Sequence, residues 1–314
     1  MTFERPRVVF AYDFDGTLAP GNMQEHAFIP RELGMAHEDF WAEVKLLARA
    51  QRGDPILAYM HLMLAKARAK NVELTEESWK RRGADLPLFP GVEGWFERQN
   101  ARAAELELDL RHFIISSGNR ELIEGSPIAH HFEKIYASAF MFDEAGDAIG
   151  PALAVNYTSK TQYLFRINKW TLEEWDEVAI NKVLAKDDRP VPFDRIAFFG
   201  DGLTDIPTMR LVTDQGGAAV AVYNPDSARS MAAARELRDD GRAHMAGPAD
   251  YTENAPLDCL AQALLTEMSA RAHARNLVAW PTDPARRSPS PLVGEGGLRR
   301  RSDEGAIALA VQNI

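Results

Sequence analysis

The sequence predicts an α/β fold: a doubly wound, mostly parallel sheet with an α-helical block inserted after its first strand. Three observations carry that expectation. Short apolar runs recur at Val8-Val9-Phe10-Ala11-Tyr12, Phe113-Ile114-Ile115, Ile196-Ala197-Phe198-Phe199 and Ala218-Ala219-Val220-Ala221-Val222, each suited to a strand buried on both faces. Segments of helical spacing separate them, so strand, crossover and strand repeat as in a parallel sheet. The stretch from residue 20 to residue 87 reads as helix alone.

Taken in order, the first strand ends in Asp13-Phe14-Asp15-Gly16-Thr17-Leu18. Beyond it, Glu38 to Ala50 carries Phe40, Trp41, Val44, Leu47 and Ala48 on one face. Pro55 opens a second helix through Ile56, Leu57, Met60, Met63, Leu64 and Ala67. Thr75-Glu76-Glu77-Ser78 supplies an N-cap and an acidic first turn for a third. Met and Trp at this spacing read as packing. The block can hold a core of its own and is expected as a cap domain over 20–87, with the main domain over 1–19 and 88–275.

Pro90-Gly91 marks the return to the main domain, and Val92 starts a helix through Trp95 and Phe96 toward Leu106. The Ser116 strand follows. A helix over Asn119 to Phe132, interrupted by Pro127, ends near His130 and His131. Ile135 to Phe142 reads as a strand, turning at Asp143-Glu144-Ala145-Gly146-Asp147 into Ala148 to Val155. Thr158-Ser159-Lys160-Thr161 opens a helix whose apolar face is Tyr163, Leu164 and Ile167, and Pro256 to Ala272 closes the domain as an amphipathic helix.

Four of these elements end in residues suited to phosphate chemistry. Asp13 and Asp15 follow a strand end, where an open α/β sheet forms its ligand crevice. Alternate side chains of extended backbone share a face, so the two carboxylates start out aimed alike and need a cation or a shared proton to offset their repulsion. Ser116-Ser117-Gly118 places a hydroxyl and free backbone N–H groups where a phosphoryl oxygen can be held. Lys160 opens its helix with a compact positive charge. Gly200-Asp201-Gly202-Leu203-Thr204-Asp205 brings two further carboxylates after another strand.

These four motifs, in this order over residues 6–270, resemble those of the haloacid dehalogenase-like (HAD) hydrolases, phosphatase branch, with a helical cap of the C1, phosphoserine phosphatase-like kind. The resemblance implies a Rossmann-like core and a Mg²⁺ cofactor held by Asp13, the backbone carbonyl of Asp15, and Asp201, with Asp205 in or beside that set. It implies Asp13 as nucleophile and Asp15 as acid and base, with Ser116, Ser117 and Lys160 binding phosphate. The implied activity is phosphomonoester hydrolysis of a small phosphorylated metabolite through an aspartyl-phosphate. A phosphotransferase or phosphomutase would share that intermediate, and a non-catalytic ligand-binding relative would have lost the aspartates. Phosphoserine phosphatases carry a cap glutamate that grips the substrate amine. Here Glu25 is out of register with it and Asn22 is nearer the place, so Glu25 reads as an ordinary cap residue.

The remaining composition narrows the partners. A net charge of −10 without a long basic stretch argues against nucleic acid. One cysteine, Cys259, excludes an intrachain disulfide and fits a reducing compartment. No apolar run approaches the ~18 residues that cross a membrane, and the start lacks a signal-peptide pattern. A cytoplasmic protein is expected. Residues 276–314, rich in Pro, Gly, Ser and Arg, are expected as a disordered tail.

Overall fold

Val8, Phe10 and Tyr12 point to one side of the first strand and Val9 and Ala11 to the other, and all five are fully buried. Such a strand needs cover on both faces. The computed structural model, which describes residues 5–278, supplies it. The strands are β1 (Arg7–Tyr12), β2 (Asp109–Asn119), β3 (Phe132–Phe142), β4 (Ala148–Leu153), β5 (Ile196–Gly200), β6 (Ala218–Tyr223) and β7 (Met245–Pro248). They form one seven-stranded sheet in the order β4-β3-β2-β1-β5-β6-β7, parallel throughout except for the edge strand β4. The chain leaves β1 toward β2 on one side and later returns to β5 on the other. Their carboxyl ends therefore open a crevice where the winding reverses. Register places Tyr12 beside both Ile114 and Phe199, which brings the residues after all three strands to one point.

Between β1 and β2 lie α1 (Met23–Ala27), a π-helical turn (Ile29–Leu33), α2 (His37–Gln51), α3 (Pro55–Ala69), α4 (Glu76–Gly83) and α5 (Val92–Glu105). Asp54 caps α3 by accepting from the Ile56 N–H at 2.7 Å, and Thr75 caps α4 by accepting from Ser78. The apolar side chains of these helices are continuous with one face of the sheet. Trp79 of α4 stacks on Phe28 at 4.6 Å and meets Phe140 of β3 at 4.9 Å. Two glycines permit that approach. A Cβ at Gly83 would lie 1.9 Å from the Leu122 carbonyl oxygen, and one at Gly125 would lie 1.8 Å from that of Lys80.

The opposite face is covered by α7 (Lys160–Lys169) and α9 (Ile206–Asp214), with α6 (Arg120–Glu124) and α8 (Glu177–Asn181) preceding them in the chain. Then come α10 (Ala228–Asp239) and α11 (Pro256–Val278). Two expectations are corrected. The helix expected over Asn119 to Phe132 is only α6 followed by a 3₁₀ turn at Ala129–His131. Pro127 cannot continue a helix, and Gly125 is pinned against Lys80. The closing helix runs past Ala272 to Val278, so residues 276–278 are helical; the rest of the expected tail lies outside the described residues.

Candidate active site

The backbone sets this site before any side chain does. Asp13 continues β1 by donating its N–H to the Phe199 carbonyl at 2.9 Å, and then the chain must turn away from the sheet. Gly16 makes the turn at φ +74°, a region that L side chains enter only with strain. The Asp13 carboxylate accepts the Phe14 N–H at 2.7 Å, which fixes its rotamer at the floor of the crevice. Asp15 is held differently. Its Oδ1 accepts the N–H of Met23, the first residue of α1, at 2.8 Å.

Lys160 reaches the same floor from the start of α7. Its ammonium is fully buried, donating to Asp13 Oδ2 and Asp205 Oδ1, both at 2.7 Å. Asp205 also accepts the Gly202 N–H, and a Cβ at Gly200 would lie 2.4 Å from its Oδ2. Ser116, buried at the end of the β2 run, accepts the Gly118 N–H at 3.1 Å, leaving its hydroxyl proton to point elsewhere. Ser117 also lines the cleft, and its hydroxyl is buried without a protein partner. The Ser117 carbonyl is oriented from behind, accepting Tyr59 Oη at 2.8 Å and Ser138 Oγ at 3.1 Å.

Single carboxyl oxygens of Asp13, Asp201 and Asp205 lie within 4.8 Å of one another. The Asp15 side chain is outside this group, turned to Met23. Around the crevice stand four carboxyls, two buried (Asp13, Asp205) and two half-buried (Asp15, Asp201), with one ammonium, which Asp13 and Asp205 hold. Burial, then the Asp13 charge, pushes Asp15 well above the usual carboxylate range. Burial, then Asp205 and Asp13, does the same to Asp201. Burial also raises Asp205 despite Lys160. Burial opposes the Lys160 charge, but Asp13 and Asp205 outweigh it and hold the ammonium above its ordinary value. A hard divalent cation fits this donor set, because it would relieve the surplus of negative charge that one lysine leaves.

The cleft above the floor has a volume of about 720 Å³. Asp13, Asp15, Asp201, Ser116 and Ser117 line it; Lys160 lies behind Asp13. Tyr59 and the Asn224, Ser227 and Ser230 group were not legible as site residues. The signal for the second group was present, since Asn224-Pro225-Asp226-Ser227 is a polar turn directly after the β6 apolar run. No such signal marks Tyr59, which reads as one more apolar-face residue of α3.

Residues 10–210 match the model of the haloacid dehalogenase-like hydrolases. A protein of Borreliella burgdorferi described as uncharacterized is 30% identical over 236 residues, 67% of this chain and 80% of that protein. The fold is similar to that of a HAD family hydrolase from Salmonella enterica serovar Typhi, with a TM-score of 0.52 and 14% identity over 85% of this chain and 72% of that one. A probable phosphoserine phosphatase from Vibrio cholerae aligns with a TM-score of 0.47 and 14% identity, over 87% of this chain and 68% of that one. With four motifs converging on one crevice and a family match spanning most of the main domain, the chain belongs to the haloacid dehalogenase-like hydrolases.

Proposed function

We propose that the protein is a Mg²⁺-dependent phosphomonoester hydrolase of small phosphorylated metabolites, working through an aspartyl-phosphate on Asp13, with residues 20–87 as its cap. The observation that carries this reading is the buried Lys160 ammonium, 2.7 Å from both Asp13 and Asp205. Its hydrogen bond, with that from the Phe14 N–H, fixes the Asp13 carboxylate in direction. A carboxylate so held is a positioned nucleophile for phosphorus.

In this reading an Asp13 carboxylate oxygen attacks phosphorus as the bond to the leaving oxygen breaks. Asp15 gives its proton to that oxygen. Asp15 then takes a proton from water, whose oxygen attacks the phosphoryl group. The bond to Asp13 breaks, releasing inorganic phosphate and restoring the carboxylate. The Ser116 hydroxyl, the Ser117 N–H and Lys160 stabilise the equatorial oxygens as charge builds. Asp13, Asp201 and Asp205, with the Asp15 carbonyl, would hold Mg²⁺, which when bound offsets repulsion between the carboxylate and the phosphate. A cytoplasmic location belongs to the same reading and is supported by the single cysteine.

The test is phosphate release from a panel of phosphorylated metabolites, with Mg²⁺ and with EDTA. Turnover that EDTA removes and Mg²⁺ restores is expected, with Ca²⁺ a poor substitute because it favours looser, higher coordination. Full activity in chelator overturns the metal assignment.

A further inference from the structure

The walls of the cleft differ from each other, and the difference bears on the leaving group. One wall comes from α2 and α3: Trp41, Val44, Ile56 and Tyr59, joined by Phe89. Trp41 and Tyr59 meet edge to face at 5.8 Å, forming an aromatic corner. Another part of the lining is small and polar: Asn224 directly after β6, and Ser227 and Ser230 at the start of α10. Both serines accept local N–H groups, Ser230 from Asn224 and Ser227 from Ser230, so their hydroxyl protons remain available to donate.

The lining carboxyls are Asp13, Asp15 and Asp201, all on the floor; the wall has none, and Lys45 stands at its exposed edge. Glu25 of α1 is half-buried beside the cleft and held by local partners, with Oε1 also 3.9 Å from His37 Nδ1. Its Oε1 accepts the Trp41 indole N–H at 2.7 Å and the Asn22 amide at 2.6 Å, and Glu25 is not among the lining residues. The Glu25 carboxylate thus orients the indole that forms the apolar wall.

Resting on the phosphomonoesterase reading, we infer that the substrate is a phosphomonoester whose leaving group carries a flat apolar ring, and that it is not an amino-acid phosphate. The ring packs against Trp41, Val44, Ile56 and Tyr59, where burying it from water is favourable and an aromatic edge or face finds a partner. Acceptor groups elsewhere on it meet Ser227, Ser230 and the Asn224 amide. An ammonium beside the phosphate would meet apolar surface on this wall and lose hydration without compensation.

The test uses the full chain with Mg²⁺ and compares binding of three non-hydrolysable phosphonates by calorimetry: benzylphosphonate, 2,3-dihydroxypropylphosphonate and 2-amino-3-phosphonopropionate. Turnover of benzyl phosphate, glycerol 1-phosphate and O-phospho-L-serine is measured alongside. Benzylphosphonate is expected to bind at least tenfold more tightly than the other two, with benzyl phosphate ahead by a similar factor in kcat/KM. Trp41→Ala should reduce the preference to less than threefold. Ile56→Asn, at a half-buried wall position, gives the same reading if Trp41→Ala fails to fold. Equal binding of the three, or tighter binding of the amino compound, overturns the inference. A ring preference in binding with no turnover of any ester removes the hydrolase reading and leaves the cleft assignment standing. Turnover without ring preference does the reverse.

Discussion

The Asp201 carboxylate lies against the backbone of Gly16: a Cβ added to that glycine would stand 2.1 Å from Oδ2 of Asp201. The contact joins the turn after β1 to the turn after β5. Because Gly16 sits at φ +74°, its Cα hydrogens face the acid without strain. Gly16→Ala should therefore act at the site more than on the fold. The left-handed region costs an alanine ~1 kcal/mol, which is a loss of about 1–2 °C in melting temperature for a chain of this size. Asp201 must also move, so kcat should fall at least tenfold. Steady-state kinetics and thermal denaturation on the same preparation check both numbers, and unchanged kcat would show that the Asp201 position is not needed.

Asp13→Asn is nearly isosteric and removes the proposed nucleophile while retaining an oxygen for the Phe14 N–H. Turnover should fall by more than a hundredfold, ~3 kcal/mol of barrier. Asp15→Asn should be nearly as damaging, because the leaving oxygen loses its acid. The two variants separate on an activated ester such as p-nitrophenyl phosphate, whose leaving group needs little protonation. Asp15→Asn should recover part of its loss there, whereas Asp13→Asn should recover none. Equal recovery by both would contradict the division of roles.

Lys160 balances two buried carboxylates, so replacing it should do more than weaken the proposed phosphate binding. Lys160→Met leaves Asp13 and Asp205 without their ammonium, and removing one partner from a buried ion pair typically destabilises by ~3–5 kcal/mol. Lys160→Arg should not rescue it, since a planar guanidinium cannot reproduce a point charge 2.7 Å from both oxygens in a fully buried space. Added Mg²⁺ should restore part of the lost stability in Lys160→Met by supplying charge to the same carboxylates. Melting curves with and without the ion read this directly. No Mg²⁺ effect would place the ion elsewhere.

Tyr59 tests the link between the inserted helices and the end of β2 proposed to hold phosphate. Its hydroxyl donates to the Ser117 carbonyl at 2.8 Å, which fixes the peptide that leads to Gly118. Tyr59→Phe keeps the ring on the cleft wall and removes one hydrogen bond, worth ~1 kcal/mol. A rise in KM of about fivefold with kcat nearly constant is expected. A fall in kcat at constant KM would move Tyr59 from positioning to chemistry.

The four motifs were legible because each is short and sits at the carboxyl end of an apolar run. Chain order and the doubly wound rule alone then bring Asp13, Ser116 and Asp201 together. Lys160 was legible as a helix opener, although its double engagement with Asp13 and Asp205 was not, because that depends on how α7 packs against α9. The cleft wall was harder. Trp41, Val44 and Tyr59 follow the same helical spacing as core residues, and spacing does not distinguish a face turned to a cleft from one turned to a core. The shortness of α6 was marked in sequence by Gly125 and Pro127, but the reason Gly125 is required is the Lys80 carbonyl, far away in the chain.

Glu121 gives the last prediction, on a carboxyl away from the chemistry. It is 1% exposed on α6, and its Oε1 accepts the Phe140 N–H at 2.9 Å while Oε2 has no partner. Burial pushes its pKa up to about 7, against an ordinary 4.5. The folded protein thus binds a proton at this site that the unfolded chain releases. The stability it contributes is fully present below pH 4.5 and is lost as pH rises through 7. A shift of this size corresponds to ~3 kcal/mol between the two limits. Glu121→Gln keeps an acceptor for Phe140 and cannot ionise. The variant should match the wild type near pH 5 and exceed it at pH 8, by up to the same ~3 kcal/mol. Denaturant unfolding of both proteins across pH 5–8 measures the difference; parallel curves over that range would show that Glu121 is ionised in the folded state throughout.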